Sequence, residues 1–84
     1  MTKEELKDFF NTIPRFSQFE VLKEFKKDGL RIKQAGGGVL ISYQCRNREK
    51  YHALVYSIKD YNDQLHKFKK IMARDLLKID AIYF

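Results

Sequence analysis

At Gly29 the spacing of apolar residues changes from the three-to-four repeat of a helix to strict alternation, and no other feature of the chain constrains its fold as much. Leu30 and Ile32 alternate with Arg31 and Lys33. Gly36, Gly37 and Gly38 then permit a tight turn with positive φ, and Val39 to Arg46 supply a second alternating run. Asn47 to Lys50 is a polar turn, and Tyr51 to Ser57 is rich in β-forming residues. Residues 29–57 therefore predict a three-stranded antiparallel meander.

Helical signals flank it. Thr2 with Glu5 forms a capping-box pattern, followed by Leu6, Phe9, Phe10 and Ile13 at helical spacing, and Pro14 ends that helix. Ser17 with Glu20 repeats the box, and Phe16 and Val21 stand where a hydrophobic staple would hold the entry of the chain. Leu22 and Phe25 continue the period, Lys26 and Lys27 suit the negative end of a helix, and Gly29 suits the residue just past it. The expectation is a second short helix over 17–28. Ser57 and Asp60 cap a third, whose stripe of Ile58, Tyr61, Leu65, Phe68 and Met72 runs to about Leu76; Lys59, Asn62, Asp63, His66, Lys67, Lys70 and Arg74 lie opposite. At 84 residues the chain has room for one small core, so the predicted fold is a single α+β domain over 1–84 with helices packed on one face of a three-stranded antiparallel sheet.

Alternation assigns the two faces of that sheet. Leu30, Ile32, Val39, Ile41, Tyr43, Cys45, Ala53 and Val55 share one side; Arg31, Lys33, Leu40, Ser42, Gln44, Arg46, His52, Leu54 and Tyr56 share the other. Burying several unpaired cations costs several kcal/mol apiece, whereas covering a large aliphatic side chain gains roughly 1.5–3 kcal/mol. The aliphatic side must face the helices, which leaves the cationic side open.

Charge adds to this asymmetry. Residues 1–28 carry 6 − 6 = 0, residues 29–56 carry 5 − 1 = +4 and residues 57–84 carry 6 − 4 = +2, for the net charge of +6. An anionic partner contacting the middle and end of the chain is the expectation. A sheet surface that mixes Arg31, Lys33 and Arg46 with Ser42, Gln44, His52 and Tyr56 can neutralise phosphates, stack on an exposed base and bond to sugar hydroxyls. Arg48 and Lys50 add a basic hairpin tip. An ordinary solvated sheet face has similar polarity, so alternation alone leaves both readings open.

Other chemistries have no constellation in the sequence. His52 and His66 fall on different elements, and one cysteine gives no zinc-type ligand set. Cys45 lies on the aliphatic side, where it reads as a small hydrophobe. GGGV lacks the Lys and Ser or Thr of a phosphate loop and opens a strand. The expectation is a protein that is not an enzyme and has neither cofactor nor small-molecule substrate. No apolar run approaches the roughly 20 residues of a membrane span, and MTKEELKDFF is too acidic for a signal peptide, so a cytoplasmic location is expected.

The stretch VLISYQCRNREKYHALVYSIKDYNDQLHKFKKIMARDLLK resembles the strand, basic turn, strand and final helix of the small Alu-domain subunits of the signal recognition particle, the fourteen-kilodalton branch most closely, and FFNTIPRFSQ is similar to their first helix. The resemblance covers Leu6 to Gln18 and Val39 to Lys78. It implies an α-β-β-β-α fold that pairs with a related subunit as a homo- or heterodimer and binds RNA on the side bearing Arg31, Lys33, Arg46 and Tyr56, with Arg48 and Lys50 nearby. The chain departs from the family in two places: AGGG replaces a long basic loop, and IDAIYF replaces a basic extension. The leading expectation is an RNA-binding module. The alternative is a protein-interaction module that uses the open face or the apolar tail, in which Ile82, Tyr83 and Phe84 would meet a partner.

Overall fold

The computed structural model describes residues 2–78. α1 spans Lys3–Asn11, and its predicted capping box is present: Glu5 N donates to Thr2 Oγ1 at 3.1 Å and Thr2 N to Glu5 Oε1 at 3.3 Å. A 3-10 turn over Phe16–Gln18 leads into the short α2, Phe19–Leu22. Four strands follow, β1 Glu24–Lys27, β2 Leu30–Ala35, β3 Gly38–Gln44 and β4 Lys50–Val55, and α3 closes the described chain at Ile58–Leu77. The sheet is antiparallel throughout, in the order β1-β2-β3-β4.

The α+β class and the meander agree with expectation; the predicted helix over 17–28 is the error, and it hid a strand. The helix stops at Leu22 because Lys23 turns to φ 56°, and its carbonyl accepts from Gln34 N at 3.0 Å, starting the sheet ladder one residue early. Asp28 and Gly29, with φ of 51° and 88°, form a two-residue turn of the type I′ kind between Lys27 and Leu30. Gly29 is thus a hairpin residue, not a helix end. Ser17 caps nothing; Gln18 Oε1 instead accepts from Arg15 N at 2.7 Å. The staple is absent too, since Val21 stands 84% exposed.

One core lies between the sheet and the helices. Leu30, Ile32, Val39, Ile41, Tyr43, Cys45 and Val55 are buried as their side of the alternation requires, with Ala53 half-buried beside them. α1 contributes Leu6, Phe9 and Phe10, and α3 contributes Tyr61, Leu65, Phe68, Met72 and Ala73. The predicted α3 stripe loses its first member: Ile58 stands 60% exposed, a full turn before Tyr61 reaches the core. Phe25 of β1 packs edge-on against Phe9 with ring centres 6.5 Å apart, and Tyr61 meets Phe16 and Phe19 at 5.7 and 5.8 Å. Ser57 caps α3 as predicted, its Oγ accepting from Asp60 N at 3.1 Å.

Candidate nucleic-acid interface

The face of the sheet turned away from the helices carries the cationic residues. Register places them in rows across the strands. Lys26, Arg31, Ser42 and His52 form one row, Glu24, Lys33, Leu40 and Leu54 the next, and Gln44 pairs with Lys50 toward the hairpin tip. Among the described residues this face gathers Lys26, Arg31, Lys33 and Lys50 against one carboxylate, Glu24, for 4 − 1 = +3. A hollow of about 290 Å³ opens among Lys26, Arg31, Ser42, Gln44, Lys50 and His52, at the lower end of the ~300–1,000 Å³ of ligand pockets. Its size suits a phosphate or one unit of a longer chain rather than a whole enclosed molecule.

The expected residues Arg31, Lys33, Ser42, Gln44, Lys50, His52 and Tyr56 therefore share one surface. Two are partly engaged. Arg31 holds Glu24 through Nε to Oε1 at 3.1 Å and Nη2 to Oε2 at 3.4 Å, and Ser42 Oγ donates to the Arg31 carbonyl at 3.4 Å. Arg46 is placed differently from the strand position expected, because β3 ends at Gln44 and Arg46 belongs to the turn. There its backbone N donates to both carboxylate oxygens of Asp75, each at 3.3 Å. Asp75 Oδ2 also accepts from Tyr43 Oη at 2.6 Å, so one α3 side chain anchors the β3 end and the turn together. Burial and this carboxylate push the Tyr43 phenol well above its usual range.

The turn itself is tight. Cys45 N donates to the Glu49 carbonyl at 2.8 Å and Arg48 N to the Cys45 carbonyl at 3.1 Å, while Asn47 Oδ1 accepts from Glu49 N at 3.0 Å. Arg48 takes φ 73° to close it, and Arg46 and Arg48 are both exposed. Cys45 is buried, and that burial, with Asp75 and Glu49 near, pushes its thiol up, which makes it a poor nucleophile. Among the described residues no three His, Cys, Asp or Glu side chains group as a metal site. No helix of the described residues is long and apolar enough to cross a membrane. The tail residues Ile82, Tyr83 and Phe84 lie outside the described residues.

Sequence reasoning missed Lys26 and Glu24, both assigned to a helix. The signal was present in Asp28-Gly29, a dipeptide that favours positive φ at two successive positions and so a hairpin between flanking strands. Compared with protein-family models, curated proteins and solved structures, the chain matches none.

Proposed function

We propose that this protein is a non-enzymatic RNA-binding module that holds RNA on the open face of its sheet. The observation that carries the reading is the clustering of Lys26, Arg31, Lys33 and Lys50 on a face that no helix of the described residues covers, with Lys26, Arg31 and Lys50 around a hollow that also holds the hydrogen-bonding groups of Ser42, Gln44 and His52. Cations on such a surface bind phosphates and release condensed counterions; serine, glutamine and histidine serve ribose hydroxyls and base edges. The exposed Arg46 and Arg48 extend the contact past the sheet to the hairpin tip.

The finer form of this reading is a cytoplasmic ribonucleoprotein subunit of the Alu-domain kind, acting as a homo- or heterodimer. It rests on the resemblance of the β3-β4-α3 stretch, and the extra strand β1 is a departure from the α-β-β-β-α order that the resemblance implies. A second reading, a protein-interaction module, is favoured by the exposure of Leu54 and Tyr56 at one end of the same face.

The test is the triple variant Lys26→Ala, Arg31→Ala, Lys50→Ala, titrated against fluorescein-labelled 12-nucleotide RNA at several salt concentrations. Each lost phosphate contact should flatten the slope of log affinity against log salt by about 0.7; with Arg31 held by Glu24 and Lys26 and Lys50 supplying the contacts, the triple variant should bind about tenfold or more weakly with a slope shallower by about 1.4. Equal affinity for variant and parent would remove the sheet face as the contact surface.

A further inference from the structure

Toward the Gly36–Gly38 turn the β3-β4 side of the open face becomes apolar. In the row that Glu24 and Lys33 begin, Leu40 pairs with Leu54, and one step further Tyr56 lies beside Gly38. A Cβ at Gly38 would collide with the Val55 carbonyl and would come within 2.7 and 2.9 Å of the Tyr56 ring carbons. Glycine at 38 therefore lets the ring settle onto the backbone of β3. The Cδ1–Cε1 edge of the ring lies over β3 this way, and Tyr56 remains 64% exposed, beside Leu54 at 48%. A ring held along one edge against backbone loses little freedom when something stacks on its exposed face.

We propose that Tyr56 and the adjoining Leu54 form a platform for an unpaired nucleobase, so that the RNA is single-stranded where it crosses the sheet. The inference rests on the RNA-binding reading above and specifies the class of RNA. Two residues of strand, about 7 Å, separate Tyr56 from the row that holds Lys33, and four, about 13 Å, from the Ser42 row, so a base can lie on Tyr56 while the adjoining nucleotides run over the cations. A duplex keeps base faces stacked on one another and offers only edges in its grooves; an exposed ring can stack only where a base is unpaired. A protein partner fits less well. One aromatic ring covers roughly 150–250 Å², and with Leu54 the patch falls well short of the ~800 Å² per partner of a stable interface.

The experiment uses a 12-nucleotide RNA with 2-aminopurine at its centre, free or annealed to its complement, and three proteins: the parent chain, Tyr56→Phe and Tyr56→Leu. Leucine keeps an apolar cover over Gly38, and circular dichroism checks that each variant is folded. The parent and Tyr56→Phe should quench 2-aminopurine in the single strand and bind it at least tenfold more tightly than the duplex. Tyr56→Leu should lose the quenching and about tenfold in single-strand affinity, with its salt slope unchanged. If Tyr56→Leu behaves as the parent while the triple cation variant is weak, RNA binding stands and the base platform is wrong. Equal affinity for the duplex, or a fall in molar mass for Tyr56→Leu with RNA binding intact, also overturns it, the latter by assigning the patch to protein contact. No binding of either RNA by the parent chain removes both readings.

Discussion

Tyr61 shows how one residue joins three parts of the molecule. It sits one turn into α3, its ring packs against Phe16 and Phe19, and its hydroxyl donates to the Pro14 carbonyl at 2.6 Å, so the break that Pro14 imposes after α1 is tied directly to the last helix. Burial pushes its phenol from 10.0 up to about 12. The sign of the consequence follows from linkage. Below pH 10 both folded and unfolded chains hold the proton; between pH 10 and about 12 the unfolded chain releases it first, so stability falls as pH rises. Tyr61→Phe should cost about 1–2 kcal/mol at neutral pH, because the buried Pro14 carbonyl loses its donor. The same variant should lose less stability than the parent as pH rises from 10 toward 12, since the ionisable group is gone. Urea midpoints across that range measure both effects, and a parallel pH dependence in the two proteins would mean that Tyr61 ionises as freely folded as unfolded.

At the scale of elements, the turns carry the information that the apolar pattern lacks. Alternation from Leu30 to Val55 was legible because each strand has one buried face, and a single-residue slip would bury Arg31 and expose Ile32. β1 was not legible in that way. Its burial pattern holds one partly buried residue, Phe25, between lysines and Glu24, so it has no alternating apolar run to find. The preceding Phe16, Phe19 and Leu22 extend a helical period across it. Only Asp28-Gly29 marks the strand, through the backbone geometry it permits. Two substitutions test turn geometry with opposite signs. Gly29→Ala puts a side chain at φ 88° and 3.0 Å from the Gln44 carbonyl, and should destabilise by about 1–2 kcal/mol. Arg48→Gly relieves a left-handed arginine at φ 73°, and should stabilise by up to about 1 kcal/mol. Thermal unfolding of both variants reads the pair, and a stabilised Gly29→Ala would mean that the β1-β2 turn is not built on positive φ.

Over the whole molecule, charge was legible in amount but not in arrangement. Thirds of the chain locate the excess, yet 1–28 counts as neutral even though β1 brings both Lys26 and Glu24 to the cationic face. Glu24 works against an anionic ligand there. It occupies the Arg31 guanidinium and lowers the charge of the face from +4 to +3. The pair is solvent-exposed, a setting in which ion pairs contribute ~0–1 kcal/mol to stability, so its effect on folding is small. Its effect on ligand binding is larger, because a bound phosphate must compete with a carboxylate already in place. Glu24→Gln leaves the backbone of β1 unchanged and frees Arg31 for phosphate. It should therefore raise affinity for the 12-nucleotide RNA several-fold at about 0.1 M salt and steepen the salt slope by about 0.7, one further phosphate contact, with unfolding free energy changed by less than about 0.5 kcal/mol. Substitutions at random seldom improve binding, so a gain in both affinity and slope would mark the release of Arg31. An affinity and slope equal to those of the parent would place the phosphates away from the β1 side of the sheet and restrict the contact to β3, β4 and the hairpin tip.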